Sequence, residues 1–153
     1  MTTDPYRKGF IYTFALFIIC FAILGISYHF LNPYAEKGIR ISTQAVLNKS
    51  DTGWLQLADR VRIKSAGVSY ITVFRTEETE ISRSKLVFVV PITGNAGPYT
   101  GVFLCDPAEK THFCGLAGIQ ENNSAEYYGI TNTIIQFWIH KIDVLAQQYG
   151  DEK

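Results

Sequence analysis

The sequence predicts an α+β fold in which a single N-terminal transmembrane helix precedes a small antiparallel-sheet domain packed against a C-terminal helix. Three observations predict it. Gly9 to Leu31 contains no Asp, Glu, Lys or Arg, a series of short β-rich runs fills the middle of the chain, and the last segment repeats apolar residues at helical spacing.

An α-helix rises about 1.5 Å per residue, so roughly 20 residues cross the roughly 30 Å hydrocarbon layer, and Gly9–Leu31 has length to spare. A cleaved secretory signal has an apolar core of about 7–15 residues followed by small residues at the cleavage point. Here the run is longer and leaves through Ser27-Tyr28-His29-Phe30-Leu31, whose bulky side chains offer no such point. Arg7 and Lys8 directly precede the span, whereas its exit, Asn32-Pro33-Tyr34-Ala35-Glu36-Lys37, is charge-balanced. That asymmetry predicts a cytoplasmic N-terminus and an extracytoplasmic C-terminal domain in a single-pass topology. Tyr6, Tyr12, Tyr28 and Tyr34 lie near the two ends, where a ring with a polar tip prefers the headgroup zone. The expected organisation is a cytoplasmic tail over 1–8, the span over 9–31, a helical stalk and linker over 32–53, and an extracytoplasmic domain over 54–153.

About 120 residues follow the span, enough for one small core and too few for two. The formal net charge is zero. With no basic stripe there is no electrostatic case for nucleic acid, whose phosphates are bound by clustered Lys and Arg.

Tyr34 to Leu47, with Ile39, Val46 and Leu47 among polar residues, reads as a helix continuing beyond Pro33 and packing on the domain as a stalk. Turn formers over Asn48–Gly53 end it, and Trp54 to Ala58 is too short to assign. Two strands follow: Ser69–Arg75, half-buried by its alternation, and Lys85–Thr93, almost continuously apolar. Thr76–Glu80 is the solvated turn between them. A loop over Gly94–Pro98 leads into Tyr99–Cys105 and Thr111–Ile119, a hairpin around the Asp106-Pro107 turn. From Thr133 to Tyr149, Ile134, Trp138, Ile142 and Leu145 recur at helical spacing, and Thr131 or Asn132 can serve as the N-cap. This helix is expected to cover one face of the sheet.

The chain has three cysteines. Cys20 sits within the span as a small apolar filler. Cys105 and Cys114 flank the turn-rich Asp106–Lys110 segment, where they can face each other as a disulfide on the oxidising side of a membrane or remain as two free thiols on neighbouring strands. No further ligands stand at zinc spacing. His112, in a hairpin strand, and His140, on the last helix, are expected at the surface. Nothing matches a strong enzyme motif: Gly94 and Gly97 precede a strand and not a helix, and there is no Cys-x-x-Cys-His haem site.

Leu86-Val87-Phe88-Val89-Val90-Pro91 followed by Gly94-Asn95-Ala96-Gly97-Pro98-Tyr99-Thr100-Gly101-Val102-Phe103-Leu104 resembles the strand, glycine loop and strand of the FMN-binding domain in the C subunit of sodium-pumping NADH:quinone reductase. The G subunit of the Rnf electron-transport complex shares that domain. Gln44-Ala45-Val46-Leu47 resembles a patch that follows the span in both. In that family a Ser/Thr-Gly-Ala-Thr motif at a helix start holds FMN through a phosphodiester to its last threonine. The corresponding positions are Tyr128-Gly129-Ile130-Thr131, where the glycine and the last threonine agree and the other two differ. The resemblance implies covalent FMN on Thr131, or on Thr133 if the alignment shifts by two, with Gly129 in the turn and Tyr127, Tyr128 and Trp138 against the flavin ring. A phosphate on Thr131 would lie at a helix N-terminus, where free backbone N–H groups favour an anion.

Three readings follow. The resemblance implies a membrane-anchored electron-transfer subunit, partnered by other subunits of a respiratory or ion-translocating redox complex. The segment before the threonine, shortened relative to that family to Gln120–Tyr128, fits a structural or assembly subunit with the same fold and no flavin. In the third, Lys8-Gly9-Phe10 resembles a prepilin processing site ahead of a long apolar helix, with Phe14 where pilins carry a glutamate.

Overall fold

The computed structural model describes residues 5–50, 52, 54–61, 63, 70–77, 85–106, 110–119 and 124–151. The acidic turn expected over Thr76–Glu80 and the Asp106–Lys110 turn fall partly outside this set, at 78–84 and 107–109, as do Asp51 and Gly53 of the expected linker. The described elements are helix α1 (Pro5–Lys49), strands β1 (Gln56–Val61), β2 (Thr72–Glu77), β3 (Leu86–Gly94), β4 (Gly97–Cys105) and β5 (His112–Ala117), a short 3-10 turn (Ala125–Tyr128) and helix α2 (Asn132–Asp151).

The chain divides into two compact units, Met1–Gly38 and Ile39–Lys153. In the first, α1 carries Phe10, Ile11, Phe14, Leu16, Phe17, Ile18, Ile19, Phe21, Ile23, Leu24, Ile26, Phe30 and Leu31, all exposed. In water so much apolar surface would cost about 25 cal/mol per Å². The segment is long and apolar enough to cross a membrane. Helix geometry persists through Pro33, although proline lacks the N–H that would bond one turn back.

In the second unit all five strands form one antiparallel sheet in the order β1-β2-β3-β4-β5, each strand beside its sequence neighbours. Such a meander needs only short connections. β3 and β4 pair along their whole length, from Leu86↔Cys105 to Gly94↔Gly97, so the loop expected over Gly94–Pro98 is a two-residue hairpin turn, Asn95-Ala96. Trp54–Ala58 leads into an edge strand, with Leu55 and Leu57 fully packed.

Both faces of the sheet are closed, not one. α2 lays Trp138, Ile142 and Leu145 on Phe88, Val90, Ile92 and Phe103. The last turns of α1 lay Val46 and Leu47 on Leu57, Phe74, Val87, Val89, Val102 and Leu104. This explains why Leu86–Val90 is apolar without alternation: successive residues enter opposite cores, and every one is buried. Each fully buried Val, Leu, Ile or Phe contributes about 1.5–3 kcal/mol.

Cys105 and Cys114 are free thiols. They lie on the paired strands β4 and β5, as expected, but the disulfide arrangement is not met. The ladder runs Leu104↔His112 and Phe103↔Phe113, then slips by one residue at Cys114 before Val102↔Gly115. Cys105 therefore belongs to the α2 core and Cys114 to the α1 core. Side chains on opposite faces of one sheet point apart and cannot be bridged.

Candidate functional site

The region that combines the two segments of the flavoprotein resemblance lies where the β3–β4 turn meets the start of α2. The chain leaves β5, forms the 3-10 turn Ala125–Tyr128 and closes it with Gly129 at φ +73°, a left-handed cap that glycine adopts without strain. The Gly129 amide donates to the Glu126 carbonyl at 2.9 Å, and Ile130 donates to Ala125 at 3.0 Å while its side chain is fully buried. Ile130 thus pins the entrance of α2 to the core.

The hairpin turn is clamped to this segment. The Asn95 amide donates to the Tyr128 carbonyl at 2.8 Å. A Cβ on Gly94 would come within 2.3 Å of that carbonyl oxygen, and one on Gly129 within 1.9 Å of Asn95 Oδ1. Gly94 is therefore required by close approach to backbone, and Gly129 by its left-handed conformation, against which the Asn95 side chain packs. Tyr128 packs on Tyr99 with ring centroids 5.1 Å apart, and Tyr127 meets Tyr128 edge-on at 5.2 Å.

Thr131 follows directly. It is exposed and occupies the cap position of α2, its carbonyl accepting from the amides of Ile134 and Ile135 at 3.0 and 3.2 Å. Of the two candidate caps, Asn132 is the first helical residue. Thr133 is exposed as well. Thr131, Gly129 and Tyr128 are thus brought together, whereas Trp138 is not. Seven residues on, about 10 Å along the axis, its ring is sealed in the core behind α2. There it meets Tyr70 and Phe137 edge-on, with Lys141 Nζ 5.0 Å from its centroid. Asn95 and Tyr99 complete the clamp. Sequence reasoning placed them in a loop and a strand, and the Gly-Asn-Ala-Gly turn signature was the signal that could have found them.

The arrangement offers an exposed hydroxyl at a helix N-terminus beside partly exposed tyrosines. A phosphate on that hydroxyl would meet the unbonded first amides of α2. The ring-stacking role that the resemblance assigns to Trp138 has no counterpart there.

Cys105 and Cys114 lie in surroundings that favour the neutral thiol. Burial pushes the Cys105 thiol above its ordinary value of 9.0, with Asp143 and Asp106 adding to the shift against the lowering effect of a Thr111 hydrogen bond. Burial likewise raises Cys114. A reactive cysteine needs the opposite shift. Around Cys105, the Thr111 hydroxyl donates to Asp143 Oδ1, and Lys85 pairs with Asp106 at 3.1 Å while lying over the Trp54 ring at 4.9 Å. His112 and His140 are exposed, as expected, and the described residues contain no group of three or more His, Cys, Asp or Glu able to hold a metal.

These features define a class: an α+β meander domain, closed by a helix on each face, behind one helix long and apolar enough to cross a membrane. Residues 45–152 match the model of a family described as "Uncharacterised protein". The match spans well over half of the chain, and the chain belongs to that family. It covers the sheet and α2 but not the apolar span. No curated protein and no solved structure matches.

Proposed function

We propose that this protein is a structural or assembly subunit of a membrane complex, held in a bacterial inner membrane by Gly9–Leu31 with its N-terminus cytoplasmic and its domain outside. The observation that carries this reading is the clamp between the β3–β4 turn and Tyr128-Gly129. In the flavoproteins that this segment resembles, the matching positions serve a cofactor. In this chain Gly129 is filled against Asn95, the Tyr128 carbonyl is bonded to the Asn95 amide and Trp138 belongs to the core, so packing accounts for all three. The proposed partners are the lipid bilayer and the other subunits of the complex. Protease added to spheroplasts should digest the domain. Membranes of the native host, solubilised in mild detergent and run on a native gel, should carry the protein in a band several times its 17.2 kDa mass. A band at monomer mass would overturn the subunit reading.

One observation favours a second reading, an electron-transfer subunit of a redox complex. Thr131 is exposed at the start of a 20-residue helix, the setting in which FMN could be joined to its hydroxyl through a phosphodiester. The flavin would supply the redox chemistry, and the chain would hold and orient it. Intact mass of natively produced protein separates the readings. One flavin phosphate adduct, lost in Thr131→Val and kept in Thr133→Val, would replace the first reading with the second. The sequence mass alone, with no adduct on any threonine, would exclude the second.

A further inference from the structure

An open sheet has two edges, and each presents backbone N–H and C=O groups that a further strand can pair with. At the β1 edge those groups are occupied in an unusual way. Gln44, on α1, donates from Nε2 to the Leu55 carbonyl at 2.9 Å and accepts at Oε1 from the Leu57 amide at 3.0 Å. A residue of a neighbouring parallel strand bonds in this manner, donating to one residue and accepting from the residue two further on. The carboxamide of Gln44 therefore stands in for one residue of a sixth strand, supplying both the N–H and the C=O that such a residue would turn to β1. Beside it, the Arg40 guanidinium donates to the Leu57 carbonyl, so Leu57 has both of its backbone groups held by α1 side chains. A third contact, Gln44 Nε2 to Asn48 Oδ1 at 2.9 Å, ties the same amide to its own helix.

We propose that Gln44 and Arg40 form an edge guard, a surrogate strand that keeps β1 from pairing with the β1 of a second copy of this chain. The occupant is a second copy for two reasons. Leu57 presents N–H and C=O in one direction, so two β1 edges related by a two-fold axis can satisfy each other through Leu57 without any other sequence. The face behind that edge is already closed, since Leu55 and Leu57 are buried beneath α1, so only the backbone edge is available for release. Between Leu57 and Arg60 the β1–β2 register is irregular, which separates the segment that the guard covers from the Arg60–Val61 end of the strand.

The test uses the full chain in detergent micelles, comparing wild type with the double variant Arg40→Met, Gln44→Met, which keeps side-chain length and removes the polar heads. Hydrogen exchange at low protein concentration should show the Leu57 amide at least tenfold faster in the double variant, with Phe74 in β2 unchanged as the mark of an intact sheet. On concentration, light scattering should show the double variant alone doubling in mass, with Leu57 regaining protection. Asn48→Ala, which leaves all three bonds from Gln44 and Arg40 to this edge, should behave as wild type. If the double variant loses the protection of Phe74, Gln44→Met alone, which releases the Leu57 amide and the Leu55 carbonyl and leaves Arg40 in place, carries the same comparison. A mass that does not rise with concentration in an intact variant would overturn the proposal.

Discussion

On the α2 face of the sheet, Phe88, Phe103 and Trp138 set large rings against Ile142 and Leu145, with Phe113 and Tyr128 packed around them. On the α1 face the filling is mostly branched aliphatic: Val46, Leu47, Leu55, Leu57, Val87, Val89, Val102 and Leu104, with Phe74 the one ring. The same end of α1 also encloses the Thr43 hydroxyl, fully buried and without a hydrogen-bond partner among the described residues. α2 is an ordinary amphipathic helix whose stripe exists for the sheet. α1 turns only its last turns to the sheet, and the rest of its apolar surface faces outward. Two helices can do one job for one sheet while only one of them carries that job in its periodicity.

Truncations give the largest expected effects and break the comparison most directly. Phe88→Ala, on the α2 face, should cost about 3–5 kcal/mol, and Leu47→Ala, on the α1 face, about 2–5 kcal/mol. Urea unfolding of the detergent-solubilised protein, followed by tryptophan fluorescence, measures both. A loss below about 1 kcal/mol for Leu47→Ala would show that α1 does not close its face.

The thiols sharpen the comparison, because one lies on each face. Cys105 and Cys114 both ionise at higher pH in the folded domain than in the unfolded chain, Cys105 through burial with help from Asp143 and Asp106, Cys114 through burial. Each favours folding fully below the ordinary thiol value of 9.0, and that contribution is lost as the pH rises through 9 towards the raised folded values. Stability should therefore fall more steeply above pH 9 in wild type than in Cys105→Ala, Cys114→Ala, whose melting temperature is the reference at each pH. Parallel curves would remove the thiols from the account.

The smallest expected effect is a gain. Thr43→Val replaces the unpartnered hydroxyl with a methyl of the same shape and should stabilise the domain by about 1 kcal/mol. Unchanged or lower stability in urea would mean that the hydroxyl has a partner in solution.

What the sequence made legible follows from the same contrast. The α2 stripe, the continuous β3 run and the apolar span announce themselves through one dominant period or its absence, and all three stand in the structure. β1 did not, because an edge strand of six residues buries little and its pattern is broken by Ala58, Asp59 and Arg60. The cover that α1 gives the second face was legible only as a stalk, since three buried residues, Thr43, Val46 and Leu47, make too short a stripe to read. At the candidate site, Thr131 and Gly129 could be picked out by residue type. The clamp could not, because Asn95 meets Tyr128 and Gly129 across more than thirty positions of sequence, and no local pattern encodes that distance. Trp138 shows the converse, since an aromatic on a helix near a candidate residue belonged to the core stripe that its own spacing already indicated.

The slip at Cys114 bears on how this chain can change length. Below it, Phe113 pairs with Phe103; above it, Leu116 pairs with Gly101 and Ala117 with Thr100. Inserting or deleting one residue elsewhere in β5 would turn every later side chain over and send Leu116 into the wrong core. Removing Cys114 alone would instead bring Phe113 and Gly115 into continuous register opposite Phe103 and Val102, leaving all neighbours on their own faces. The bulge is thus a reserve of one residue, a place in β5 where a codon can be lost and the strand stay in phase.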